Sequence, residues 1–199
     1  MQKRGKQNPT KKYTNTLKPE ETEKKVIYEP YILSVLVMKV YLSINEIGRN
    51  IKQNLERIIV SKIEGRCIVE GFIRPDSVHI MTYSSGKVNG DKVEFHTTFE
   101  CMICHPVEGM LIECNCKTIT KAGIHAEVVD KKGNTPIVVF VARDHHISKN
   151  MFEHVKENAK LLVKIIGIRY ELNDPNICVI GKLMENMIDR NDKKPIRIL

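Results

Sequence analysis

The chain has 199 residues and a mass of 22.9 kDa, with 42% hydrophobic and 28% charged residues. That usage supports a packed core and excludes wholesale disorder, collagen-like or coiled-coil repeats and a disulfide scaffold. Its net charge of +8 is unevenly placed: residues 1–25 hold eight Lys or Arg against three Glu, and residues 189–199 hold four basic against two acidic residues. The span 26–188 is nearly neutral, with 20 basic and 19 acidic residues, so the body is not built chiefly to grip a phosphate backbone.

Residues 1–25 carry almost no large apolar side chains and two prolines. Such a segment cannot offset the entropy of ordering and reads as a flexible basic tail, its functional alternative being a weak electrostatic arm. No apolar leader follows Met1, and the most apolar early stretch, 31–42, includes Ser34 and Lys39 and is too short to span a bilayer. A soluble intracellular protein with no membrane partner is expected, so Cys67, Cys101, Cys104, Cys114, Cys116 and Cys178 read as free thiols.

Residues 31–42 read as a strand. Ser43-Ile44-Asn45-Glu46 is the S-x-x-E pattern of a capping box. Ile44, Ile47, Ile51, Leu55, Ile58 and Ile59 recur at helical spacing, which predicts an amphipathic helix over 44–59. Strand-like runs follow at Arg66–Phe72, Ser77–Tyr83 and Lys92–Cys104, separated by turn-rich segments at 74–76 and 84–91. These elements make a small α+β unit. After His105-Pro106 the rhythm changes. Short strands are expected at Met110–Thr118, Gly123–Val129 and Ile137–Arg143, a helical patch at Met151–Ala159, and long strands at Leu161–Leu172 and Ile177–Met184. Three strands, a short helical connection and two more strands is the order of a five-stranded OB barrel.

Catalytic motifs are absent: the sequence holds no G-x-S-x-G, P-loop, H-E-x-x-H or G-x-G-x-x-G. Cys101-x-x-Cys104 with Cys114-x-Cys116 could supply four thiolates to zinc, but the second spacing is unusual for a structural site and buried apolar thiols are the preferred reading. Asp144-His145-His146 reads as solvated surface, and Arg66 beside Cys67 is weak evidence for a lowered thiol pKa, so structural burial is the better reading of Cys67. No enzyme, metal or cofactor is therefore expected. Nucleic-acid binding is better founded: the second and third barrel strands of an OB fold offer an open face, and here they carry Lys121, His125, Phe140 and Arg143, of which Phe140 reads equally well as core. Such a platform would bind single-stranded RNA weakly and with little sequence preference.

Taken together, these elements resemble the stalk subunits of multisubunit DNA-directed RNA polymerases, the family of RNA polymerase II subunit seven and its archaeal counterpart. The resemblance rests on the helix through Gly48 to Ile59, Lys62-Ile63-Glu64-Gly65-Arg66-Cys67, and the turn Tyr83-Ser84-Ser85-Gly86-Lys87-Val88. It continues through Phe99-Glu100-Cys101-Met102-Ile103-Cys104-His105-Pro106-Val107-Glu108-Gly109 and Thr118-Ile119-Thr120-Lys121-Ala122-Gly123-Ile124. It covers about residues 30–188, and the tail and the Tyr-Ser-Ser-Gly turn look like versions from large DNA viruses. The resemblance implies an N-terminal tip domain over 26–105, an S1-like OB domain over 106–188 and tails at 1–25 and 189–199. It also implies docking on the polymerase core near the clamp, a small helical stalk partner, contact with nascent RNA and no active site. Phe72, Arg74 and Pro75 with Ser85, Gly86 and Lys87 would lie in the docking loops. The location would be the nucleus for a cellular protein, and host cytoplasm and virion for a viral one. S1-type barrels often place aromatics where this chain has Ile124-His125, so the role reads mainly as protein–protein adaptor. A free-standing S1-type RNA-binding factor of translation or RNA decay is the alternative.

Overall fold

Strand β6 (Lys92–Cys104) alternates buried with exposed or half-exposed residues as far as Ile103, and the whole first half of the molecule is assembled on it. Strand β1 (Ile32–Ser43) lies antiparallel on one edge, with Ile32 opposite Ile103 and Ser43 opposite Lys92. The other edge is shared by β5 (Lys87–Asn89), β4 (His79–Tyr83) and β3 (Gly71–Ile73), and β2 (Cys67–Ile68) pairs with β3. The computed structural model describes residues 30–145, 152 and 155–184. The tails expected at 1–25 and 189–199 lie outside them.

Helix α1 (Ile51–Ile63) covers one face of this sheet. Leu55, Ile59 and Ile63, spaced one turn apart, pack with Val40, Leu42, Val93, Phe99, Cys101 and Ile103. The helix starts seven residues later than the sequence suggests. The Ser43–Glu46 capping box is real, with the Ser43 N–H donating to Glu46 Oε2 at 3.1 Å, but it closes a single 3-10 turn over Ile44–Glu46. Ile47 is then extended, and Gly48-Arg49-Asn50 turns the chain before α1 begins. Glu46 remains tied to the helix through Arg57 at 2.8 Å and through its carbonyl, which accepts from Asn54 Nδ2 at 2.8 Å.

Two further expectations change. The run 66–72 is a hairpin of β2 and β3, because Gly71 adopts φ +132° and its missing Cβ leaves room for the Cys104 carbonyl. The segment 84–91 contains the short strand β5 instead of being wholly turn.

The second half is a closed barrel of β7 (Leu111–Ile119), β8 (Gly123–Val128), β9 (Ile137–Ala142), β11 (Ile177–Leu183) and β10 (Lys160–Arg169), in that order around the wall. Every pair is antiparallel except β9 with β11. Ile112, Cys114, Ile124, Ala126, Val139, Val141, Val163, Ile165 and Val179 fill the interior, as two-residue periodicity requires. Of the helical patch expected at 151–159, residues 155–159 form an irregular turn. Asn158 is left-handed at φ 62°, and its N–H donates to the Cys116 carbonyl while the Cys116 N–H donates to Ala159, so β7 claims this backbone. The described residues carry one α-helix against eleven strands, making the molecule mostly β where α+β was expected.

Candidate nucleic-acid interface

Side chains of β8 alternate inward and outward, with Ile124 and Ala126 buried and His125 exposed between them. On β9, Val139 and Val141 are buried and Phe140 half-buried. His125 and Phe140 are register partners, and their rings meet at 4.8 Å between centroids with a tilt of 48°. The alternation thus settles the orientation of Phe140: it faces outward, beside the histidine. Because the two rings already lean on each other, they form one joined aromatic surface and not two independent ones.

Lys121 sits in the turn between β7 and β8. There the Thr120 N–H and hydroxyl both donate to the Gly123 carbonyl, at 2.8 and 2.9 Å, leaving Lys121 exposed. The Arg143 N–H donates to the Ala122 carbonyl at 3.0 Å, which brings β9's end to the same corner. The Arg143 side chain turns elsewhere: its guanidinium lies 5.0 Å from the Phe152 ring centroid, and Nε is buried without a hydrogen-bond partner. His125 and Phe140 are therefore paired on the outer face, Lys121 is exposed in the turn that leads into β8, and Arg143 beside that turn is a packed cation.

The sequence reading missed the third strand of this face. Ile180 lies opposite Phe140 across the parallel β9–β11 pair and is 45% exposed, and Cys178 and Lys182 point the same way. Their signal was the strict alternation of Ile177, Val179 and Gly181 with these outward positions. Toward the other side, Thr118 pairs with His125, and Lys117 and Glu127 neutralise each other at 2.8 Å.

The residues expected to dock fall in two places. Phe72 is 3% exposed and belongs to the barrel-side core cluster. Arg74 lies over the Tyr31 ring at 5.5 Å, and Pro75 is half-buried beside Gly65. Ser85, Gly86 and Lys87 are exposed at the far end of the sheet. There the Ser84 N–H donates to the His96 carbonyl at 2.9 Å, and Gly86 lies so close to Val93 and Phe95 that a Cβ would collide with both.

The thiols do not converge. Cys101 packs under α1, whereas Cys104, Cys114 and Cys116 belong to the barrel-side cluster. Among the described residues no group of three or more His, Cys, Asp or Glu is placed to hold a metal. Burial pushes Cys101 up to about 11 and Cys104 and Cys114 to about 12, so these groups are neutral thiols. Cys67 is likewise raised to about 11, by burial and then by Asp174 and Cys178, as a buried thiol and not one activated by Arg66. Asp144 and His145 lie in a short 3-10 turn after β9, and His146 is outside the described residues.

No family model matches the chain. It is 23% identical over 171 residues to "Putative DNA-directed RNA polymerase subunit" of Acanthamoeba polyphaga mimivirus, the aligned region covering 78% of this chain and 82% of that protein. That likeness supports a relationship to RNA polymerase subunits. No helix among the described residues is long and apolar enough to cross a membrane.

Proposed function

We propose that the chain is a non-catalytic stalk subunit of a DNA-directed RNA polymerase of the large-DNA-virus type. In this reading the sheet and α1 are the tip domain, the barrel is an S1-like OB domain, and the two divide near residue 105. The observation that carries it is the likeness to the mimivirus polymerase subunit, which extends over most of both chains. The strand order of the barrel, with its single parallel pair between the third and fifth strands, supports the OB assignment.

The surface supports life in an assembly. Among the described residues β1 pairs only with β6, leaving a 12-residue open edge, and Leu33, Val35 and Val37 on it are 65, 56 and 67% exposed. A free protein would ordinarily blunt so long an apolar edge. Polymerase core subunits, with a small helical stalk partner beside them, are the partners proposed. Ser85, Gly86 and Lys87 would dock on the core, and Phe72, Arg74 and Pro75 would set the shape of the tip from within. Nascent RNA would pass the His125–Phe140 platform with Lys121 nearby, held weakly because one joined platform stacks few bases. Host cytoplasm and virion are the proposed locations.

Affinity purification of the tagged chain from its native system at moderate salt tests this reading. The large polymerase subunits should be recovered in stoichiometric amount. Ribosomes, a nuclease complex or RNA alone would overturn it in favour of a free-standing S1-type RNA-binding factor.

A further inference from the structure

We infer that the sheet and the barrel are locked into one rigid strut, pinned at two separate barrel turns in addition to the covalent link at 105–110. The first pin is the turn between β10 and β11. Asn173 adopts φ 70°, its N–H donates to the Cys67 carbonyl at 2.8 Å, and the Cys67 N–H donates to the Asp174 carbonyl at 2.8 Å. These two backbone bonds, from two successive residues of the turn to one residue of β2, tie the barrel to the open edge of the sheet. The turn itself is fixed by the Glu171 N–H donating to Asp174 Oδ2 at 2.7 Å, and the Tyr170 hydroxyl donates to the Val69 carbonyl at 3.1 Å.

The second pin is the turn between β8 and β9. The Tyr31 hydroxyl donates to Asp130 Oδ2 at 3.2 Å. Asp130 is held for this by the N–H groups of Lys132 and Asn134, both at 2.8 Å, and by Asn134 Nδ2 at 2.9 Å. Arg74 covers the Tyr31 ring, and Lys132 reaches Asp76 at 3.5 Å. Between the pins, Cys67, Phe72 and Cys104 form one cross-strand row whose side chains join the barrel's apolar cluster. The link is also fastened, by the Gly109 N–H to the Ile165 carbonyl and the Ile165 N–H to the Met110 carbonyl, each at 2.9 Å.

A single covalent link would be a hinge. Two further attachments on different barrel turns remove the axis about which a hinge turns. The outer face of β8, β9 and β11 is consequently carried at a fixed orientation to the far end of the sheet at 84–91.

Amide hydrogen exchange of the full chain, followed residue by residue by NMR, tests this. The Cys67 and Asn173 amides should exchange within about tenfold of the barrel-core Val139 amide, because they open only with the whole structure. Fast exchange at Cys67 and Asn173 with Val139 still protected would overturn the inference. Asn173→Pro removes one donor and cannot adopt the native φ, so it should raise the Cys67 exchange rate by a hundredfold or more. Tyr31→Phe removes only one hydroxyl and serves if that variant fails to fold: it should accelerate exchange at Lys132 and Asn134, and unchanged rates there would count against the second pin.

Discussion

His125 and Phe140 act as a pair because β8 and β9 place them opposite one another, each between two inward-facing apolar neighbours. If a base stacks on them, Phe140→Ala should lower single-stranded RNA affinity by about tenfold or more, by fluorescence anisotropy at fixed salt, since stacking on one aromatic is worth ~1–3 kcal/mol. Arg143→Lys should change it little, because the guanidinium is engaged with Phe152. Gly86 illustrates a second residue-scale constraint: with no room for a Cβ beside Val93 and Phe95, Gly86→Ala should cost about 1–3 kcal/mol and lower Tm by several degrees. At Asp130, burial pushes the carboxyl pKa up, but hydrogen bonds from Asn134, Lys132 and Tyr31 outweigh it and hold the group below the ordinary aspartate value. The sign follows: this stabilisation is full above about pH 4 and is lost as pH falls through the lowered folded value. Tm measured against pH should therefore drop more steeply in acid for the native chain than for Asp130→Asn.

Elements with an unambiguous period were legible in the order of residues alone. β6 alternates over Lys92–Ile103, ends with Ile103 and Cys104 both buried, and its bounds match the sequence reading. What escaped was set by contacts distant in sequence. The Ser43–Glu46 pattern caps a turn and not the helix, since local hydrogen bonding says nothing of how many residues follow it. The β2–β3 hairpin depends on the Cys104 carbonyl approaching Gly71, 33 positions away in the sequence. Likewise Ile180 joins the candidate RNA face only through a parallel pairing between non-adjacent strands. Cysteine burial follows from the same geometry: Cys67, Cys101, Cys104, Cys114 and Cys116 are buried and Cys178 alone among the six is exposed. Thiol titration of the native protein should accordingly modify one cysteine quickly, and the rest only on unfolding.

At the scale of the whole molecule, the change of rhythm after residue 105 falls between the last strand of the sheet and the first strand of the barrel, and the bonds that join the two are not legible in the sequence. Phe72 ends a strand-like run and Arg74 opens a turn-rich segment that reads equally well as an exposed loop, and only the assembled structure turns them toward the barrel and Tyr31. With both ends of the molecule on one strut, docking at the far end of the sheet would fix where the barrel face points. Cross-linking mass spectrometry of the tagged chain in its native system tests the polymerase-subunit reading most directly. Lys87 and Lys92, at that far end, should cross-link to the large polymerase subunits, with Lys182 on the barrel face free of them. Cross-links from Lys87 and Lys92 only to ribosomal or nuclease subunits, or none to any polymerase subunit, would contradict it.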